Sequence, residues 1–155
     1  MYSHSEIHIG GPTVNDNTFQ YIQNFIPTFR SYVKKAFAPK NIPKEHQNYI
    51  IPSDQTGFSV RDDEGKELLF LRDDKVNDIG LLVRLKINEK KTVHLIFGTG
   101  KRGTMAALNY ITNYSEEIFL KHNTKNYFLM LWSNYTNYSI DFSKGITDLS
   151  EYLHD

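Results

Sequence analysis

Two nearly continuous apolar runs, at residues 81–83 and 93–97, are the strongest constraint on the fold of this 155-residue chain. A strand with one face in solvent alternates apolar and polar residues, whereas a strand covered on both faces is apolar throughout. The two runs therefore predict central strands of a sheet enclosed between helices. Apolar residues at helical spacing, within 19–37 and from about 103 to 121, indicate helices that could cover such a sheet.

The remaining segments predict further strands and one hairpin. Short strands are expected near residues 6–10, 49–51 and 126–135, and Asp-Glu-Gly at 63–65 separates two strand-like runs. Pro27 disrupts a helix interior, so the first helix should kink there or give way to a second helical piece. Strands that alternate with helices predict an α/β fold. We expect a single Rossmann-like three-layer domain over residues 1–155, with a mainly parallel sheet and a β-hairpin insertion.

The composition restricts the classes of partner and location. The 18 basic and 18 acidic side chains give no formal net charge, which disfavours a general nucleic-acid-binding domain. The absence of cysteine excludes disulfides, thiolate zinc sites and thiol nucleophiles within this sequence. No apolar stretch reaches the roughly 18 residues that cross a bilayer, and the N-terminus lacks the regions of a signal peptide. We therefore expect a cytoplasmic location without membrane binding.

The segment TVHLIFGTGKRGTMAALNYI, residues 92–111, contains the first candidate ligand loop. Residues 98–103 match the pattern G-x-G-x-x-G between a predicted strand and a predicted helix. Glycines allow close approach of the backbone to a phosphate, and a helix N-terminus favours an anion. The basic side chains of the loop could neutralise the phosphate charge. The candidate ligand-binding residues are Gly98, Thr99, Gly100, Lys101, Arg102, Gly103 and Thr104.

This loop resembles the phosphate loop of Rossmann-type nucleotide-binding domains, and the resemblance implies a bound nucleotide or dinucleotide. Over residues 96–107 it is also similar to the ligand loops of CRISPR-associated Rossmann-fold sensor domains, which implies a nucleotide-sensing role. The dinucleotide-binding family has an acidic residue after the next strand, where this chain has Ser133 and Asn134. A strand-to-helix turn whose glycines serve packing alone is the alternative interpretation.

A second glycine-rich turn follows the first predicted strand. Gly10 and Gly11 end this strand, and the segment 15–18 leads into a helix. Ligands of open α/β sheets bind outside the carboxyl ends of the strands. If the strands that end at Gly10 and Gly98 are parallel neighbours, both turns open into one crevice, with Asn15 on one wall. The alternative is that residues 15–18 only cap the helix.

Other polar residues have weaker patterns. His4, Glu6 and His8 share one face of a strand, but a polar edge-strand face explains them better than a metal site. His94 lies within an apolar strand and is expected to be a hydrogen-bonded core histidine. Glu116 and Glu117 are expected on a solvated helix face, more than three turns from the glycine loop.

The function predicted from these residues is that of a sensor domain, for which a small phosphorylated, nucleotide-derived ligand is the expected partner. No metal is expected, the only cofactor considered is a nucleotide or NAD-derived ligand, and the catalytic residues are unknown. One alternative is a hydrolase that cleaves the N-glycosidic bond of NAD or of a nucleoside. A second is a protein-interaction domain without a ligand. Whether the chain forms a homo-oligomer or belongs to a larger protein stays open.

Overall fold

The computed structural model describes residues 4–11, 15–73, 75–123, 125–134 and 138–154, which form two β-sheets and three α-helices. The first six strands are β1 His4–Ile9, β2 Arg30–Lys34, β3 Ile50–Ser53, β4 Gly57–Arg61, β5 Glu67–Leu71 and β6 Asn77–Asn88. The last three are β7 Lys91–Gly98, β8 Tyr127–Asn134 and β9 Thr147–Asp148. The helices are α1 Asp16–Phe25, α2 Lys101–Asn113 and α3 Ser115–His122.

The larger sheet, sheet A, has the strand order β1-β7-β6-β8-β9. Strand β1 is parallel to β7, whereas β6 is antiparallel to both β7 and β8, and β9 is antiparallel to β8. Strands β1, β7 and β8 therefore run in one direction, and β6 and β9 run in the other. Sheet A is a mixed sheet.

The predicted Rossmann-like three-layer domain with a mainly parallel sheet is wrong. Both sheets are mixed, and strands make up 40% of the chain against 28% for helices. Only residues 89–90 separate β6 from β7, and so short a connection can join antiparallel strands but not parallel ones. The apolar runs do lie in buried strands, but one face of sheet A is covered by a second sheet instead of by helices alone.

Sheet B has the strand order β3-β2-β4-β5, and it includes the predicted hairpin. Strands β4 and β5 are antiparallel and pair from Gly57 with Leu71 to Arg61 with Glu67, which confirms a turn around 63–65. The expected second helical piece after Pro27 is wrong, because the chain continues there as β2. This strand pairs with β3 on one side and β4 on the other, so hydrogen bonds within a sheet replace those of a helix.

Sheet A lies between two apolar layers. On one face, Leu81, Val83 and Phe97 pack with residues of sheet B and of α1, including Phe58 and Ile22. On the other face, a second cluster joins sheet A to α2 and α3 through Leu82, Ile96, Ala106, Ala107 and Ile118. The alternation of side chains along each strand supplies both layers.

The helical segment expected from about 103 to 121 is divided into α2 and α3 by a break at Tyr114, whose backbone is not helical. Within the residues that the structure describes, no helix has both the length and the apolar character needed to span a bilayer.

Strand β1 is attached to its surroundings by the carboxylate of Glu6. Its oxygens lie 2.6 Å from Lys91 Nζ and 2.9 Å from His8 Nε2, and they accept a hydrogen bond of 3.1 Å from the Tyr21 hydroxyl. The hydrogen bond from Lys91, followed by that from His8, lowers the pKa of Glu6 from 4.5 to about 2. Glu6 and His8, two of the three residues considered for a metal site, therefore contact each other. Glu6 also contacts Lys91 of β7 and Tyr21 of α1.

Acidification should weaken this attachment of β1. Because the pKa of Glu6 is lower in the folded protein, its contribution to stability is complete above about pH 4.5 and is lost as the pH falls towards 2. The Glu6→Gln variant should therefore show a flatter dependence of the unfolding free energy on pH across this window, measured by urea denaturation. Glu64→Gln, in the exposed turn between β4 and β5, is the control and should behave like the wild type. An unchanged profile for Glu6→Gln would contradict the role assigned to this carboxylate.

Candidate functional site

The two glycine-rich turns lie side by side, because β1 and β7 are adjacent parallel strands. The Gly10 amide continues their ladder with a 3.0 Å hydrogen bond to the Ile96 carbonyl. A Cβ atom on Gly11 would lie 3.6 Å from the Gly98 carbonyl oxygen. The condition for a shared crevice, that the strands ending at Gly10 and Gly98 are parallel neighbours, is therefore met. We call the region where the ends of these strands meet, with Gly10 and Gly11 on one side and residues 98–104 on the other, the loop crevice.

The chain leaves these two strands towards opposite faces of sheet A. After β1 it leads to α1, whose Ile22 and Ile26 pack in the cluster on the sheet-B side. After β7 it leads to α2, whose Ala106 and Ala107 pack in the cluster on the other side. Adjacent strands whose connections diverge in this way leave a gap at their carboxyl ends, which is where open α/β sheets bind ligands.

A small cavity of about 90 Å³ lies between the loop crevice and sheet B. Gly11, Gly98 and Thr99 line it on the loop side, and Ser31 and Thr56 line it on the sheet-B side. Thr56 also lines an open groove with a volume of about 490 Å³. This volume is within the usual range of roughly 300–1,000 Å³ for ligand sites. The charged side chains that line this groove are three basic ones, Lys34, Arg72 and Lys75, and two acidic ones, Asp54 and Asp73.

The start of α2 holds an anion that belongs to the protein itself, the carboxylate of Asp78. One carboxylate oxygen accepts hydrogen bonds from the Thr99 hydroxyl at 2.6 Å and from the Ile79 amide at 2.9 Å. The other accepts a 2.8 Å bond from the Gly103 amide. Asp78 is buried, with 5% of its surface exposed, and Arg72 Nη1 lies 3.6 Å from it. Asp78 therefore binds the Gly103 amide that the phosphate-loop interpretation assigns to a ligand.

Close packing explains the three glycines of this loop. A Cβ atom on Gly103 would overlap the Ile79 carbonyl, and one on Gly98 would lie 2.5 Å from the same oxygen. A Cβ atom on Gly100 would meet the side chains of Arg72 and Asp78. The packing alternative left open by the sequence thus accounts for the glycines, whether or not a ligand also binds.

The polar residues at the start of α2 differ in whether their side chains could contact a ligand. Thr104 donates its hydroxyl to the Gly100 carbonyl at 3.1 Å, within the first helical turn. Lys101 is exposed, and its ammonium group lies 6.0 Å from the ring centre of Tyr138. Arg102 is half-buried. The first turn of α2 contains no acidic residue, so two positive side chains lie at the positive end of the helix dipole.

Asn15 caps α1. Its side-chain oxygen accepts hydrogen bonds from the amides of Asn17 at 3.0 Å and Thr18 at 3.1 Å. Asn15 is therefore the N-cap of α1, and its place on a wall of the loop crevice stays a prediction. Residues 12–14 of the first loop lie outside the described residues.

The other sequence candidates lie away from the loop crevice. Glu116 and Glu117 are exposed in the first turn of α3. The whole of α2, about 20 Å at 1.5 Å per residue, separates them along the chain from the glycine loop. His94 is half-buried, and its Nδ1 atom has no hydrogen-bond partner among the described residues, which differs from the expected hydrogen-bonded core histidine.

Sequence reasoning missed the polar residues that β6 brings to this edge. Asn77 and Asp78 are both buried, and the Asn77 amide donates a 2.9 Å hydrogen bond to the Ser133 carbonyl. The Ser133 hydroxyl in turn donates to the Asp78 carbonyl at 3.4 Å. One feature of the sequence could have pointed to Asn77 and Asp78: they are a polar pair directly before the apolar run that starts at Ile79.

Removal of the Asp78 carboxylate should destabilise the fold. Asp78→Ala leaves the buried Gly103 amide without its acceptor and removes the carboxylate beside Arg72, so the free energy of unfolding should fall by about 3 kcal/mol. Chemical denaturation measures this loss, and Asp78→Asn, which keeps one acceptor oxygen, should lose less. The exposed control Glu64→Ala should stay within about 0.5 kcal/mol of the wild type. A similarly small change for Asp78→Ala would show that the carboxylate does not hold these elements together.

Comparison of the chain with protein-family models, with curated proteins and with solved structures finds no significant match. The candidate site is therefore defined by its geometry. Its central features are two loops on adjacent parallel strands, a buried carboxylate that holds the start of α2, two basic residues in the first turn of α2, and a groove lined by basic and acidic side chains.

Proposed function

We propose that this chain is a binding domain for a small phosphorylated, nucleotide-derived ligand, which it takes up at the loop crevice. The observation that carries the proposal is the divergence of α1 and α2 to opposite faces of sheet A after two adjacent parallel strands. Such a gap exposes backbone groups of both loops to one ligand.

The buried Asp78 carboxylate changes where the phosphate is expected to lie. Because Asp78 accepts from the Gly103 amide, the phosphate contacts the exposed side of the first turn of α2 instead. There Lys101 supplies positive charge, with Arg102 beside it in the sequence. Each basic residue at a helix N-terminus lowers the stability of the helix by several tenths of a kcal/mol. A bound anion would offset this repulsion, so the two basic residues favour anion binding at this helix end.

The rest of the ligand extends towards sheet B. The cavity beside Thr99 and Thr56 takes only a small group, since its volume is about 90 Å³. The open groove that continues from Thr56 is large enough for a sugar or a base. The hydroxyl groups of Thr56 and Ser31 can hydrogen-bond polar atoms of such a group.

Binding is favoured over N-glycosidic cleavage. The carboxylates considered for that reaction, Glu116 and Glu117, are solvent-exposed at the far end of α2. Asp78, beside the loop crevice, is engaged by Thr99 and the Gly103 amide, which suits a structural role. The groove carboxylates Asp54 and Asp73 are exposed; the first lies 3.7 Å from Lys35 Nζ, and the second accepts from the Lys75 amide. The expected location is the cytoplasm, where nucleotide-derived ligands occur and where a chain without cysteine is unaffected by the reducing conditions.

A binding screen with one charge variant tests this function. ATP, ADP, NAD, cyclic AMP and inorganic phosphate are compared by thermal shift, and any that raises the unfolding temperature is titrated by calorimetry. A ligand at 100 times its dissociation constant adds about 2.7 kcal/mol of stability, which such a screen detects. Lys101→Ala should weaken binding about tenfold and reduce its salt dependence, because a charge-assisted contact is lost.

The matched control is Lys40→Ala, which removes a lysine from an exposed position in the segment before β3. This variant should bind as the wild type does. Failure of all five compounds to shift the unfolding temperature at millimolar concentration would contradict the proposed function. Equal affinities of the wild type and Lys101→Ala would remove α2 from the site.

A further inference from the structure

Strand β1 lies at an edge of sheet A, and within the described part of the chain its strand partner is β7 alone. The His4 amide donates to the carbonyl of residue 90, and the Gly10 amide donates to the Ile96 carbonyl. In an extended strand the amide and carbonyl of one residue point to one side, and those of the next residue point to the other. The even-numbered residues of β1 therefore bond to β7, and the backbone groups of residues 5, 7 and 9 point away from it.

The outward residues of β1 are exposed and include two isoleucines. Ile7 and Ile9 have 62% and 53% of their surface exposed, and Ser5 is exposed as well. Proteins usually block an open edge with a lysine, a proline or a bulge, because its unpaired amides and carbonyls can bind another strand. The segment His4–Ile9 contains neither lysine nor proline, and it pairs with β7 residue by residue. This edge is therefore open to a further strand.

The sequence of β1 is complementary to itself when two copies of the strand run antiparallel. With Ile7 opposite Ile7 of the second copy, Ser5 lies opposite Ile9, and each of these outward pairs can exchange two hydrogen bonds. In the same register Glu6 lies opposite His8 of the second copy, so a carboxylate faces an imidazole that can donate to it. A shift of two residues in either direction would instead place Glu6 opposite Glu6, or His8 opposite His8.

The two faces of β1 separate the apolar side chains from the polar ones. Ile9 pairs in register with Ile96 of the α2 cluster, so Ile7 and Ile9 lie on the face of sheet A that carries α2 and α3. Glu6 and His8 lie on the other face, beside Tyr21 of α1. A second β1 strand would therefore bring the isoleucines of both copies together on one face and the Glu6–His8 pairs together on the other.

We propose that β1 pairs antiparallel with β1 of a second copy of this chain, about a two-fold axis at Ile7, and joins the two copies of sheet A into one sheet. A two-fold axis requires a surface that complements itself, as the outward backbone groups and the Glu6–His8 pairs do. A contact limited to one strand pair is at the small end of interfaces, below roughly 1,200 Å², so the association is weak and depends on concentration. The pairing does not depend on the ligand proposed for the loop crevice.

Sedimentation velocity tests the association from about 10 µM to about 1 mM protein, a range that covers the dissociation constants of weak dimers. The unmodified chain should shift from monomer to dimer across this range. Ile7→Lys places like charges directly opposite each other and should raise the dissociation constant at least about tenfold, while circular dichroism shows an unchanged monomer fold. The matched control is Leu69→Lys, at an exposed position of β5 on the edge of sheet B, and it should associate as the wild type does.

Three outcomes of this experiment would overturn the proposal. The unmodified chain could stay monomeric over the whole range, which would leave the edge to another occupant or to none. Ile7→Lys could associate as strongly as the wild type. Leu69→Lys alone could lose the association, which would place the interface at sheet B.

Single cysteines test the register, because the chain has no cysteine of its own. Residues opposite each other in a hydrogen-bonded antiparallel pair have Cα atoms about 5.5 Å apart, within the usual range of about 4.4–6.8 Å for a disulfide. Ile7→Cys should therefore form a covalent dimer under mild oxidation, seen on a non-reducing gel. In Ile9→Cys the two thiols would lie four residues apart along the strands, about 13 Å, and should not cross-link. Equal cross-linking of the two variants, or cross-linking of Ile9→Cys alone, would contradict the pairing centred at Ile7.

Discussion

The carboxylate of Asp78 is the interaction on which the candidate site depends, because it joins four elements. Asp78 belongs to β6, Thr99 follows β7, Gly103 lies in the first turn of α2, and Arg72 directly follows β5 of sheet B. Arg72 also donates to the Thr99 carbonyl at 3.0 Å. In a buried environment each of these polar groups needs its partner, so the four elements are fixed relative to one another. The geometry of the loop after β7 follows from this network.

Much of the fold could be predicted from local patterns, but the direction of the strands was misjudged. The apolar runs correctly indicated buried strands, since both faces of sheet A are covered. Burial says nothing about direction, and the two-residue connection at 89–90 was the feature that required an antiparallel pair. The strand after Pro27 could not be predicted because its partners lie far along the chain: Ser31 pairs with Ile50 of β3, 19 residues away, and Arg30 pairs with Ser59 of β4, 29 residues away.

Only one part of the candidate site could be predicted from the sequence, namely the part that follows from the direction of β1 and β7. The turns after β1 and β7 were expected to meet, and they do, because parallel neighbours end at the same edge. Asp78 could not be placed beside them while β6 was taken to be parallel, since the start of a parallel strand lies at the other edge. The antiparallel course of β6 brings its first residues to the end of β7, and pairs Gly80 with Gly98. A glycine pattern of this kind arises from close packing or from ligand contact, and sequence alone does not separate the two; the structure shows the close packing.

The pairing of β1 with β7 has a consequence for how the protein assembles. These strands lie more than 80 residues apart in the chain, whereas β6 and β7 are joined by a two-residue turn. Closing a long loop costs more entropy and slows folding, so we expect the β6–β7 hairpin to form before β1 is added. The loop crevice is complete only after that last addition. A molecule that contacts both loops therefore opposes the detachment of the edge strand, and its occupancy slows the local opening of one side of sheet A.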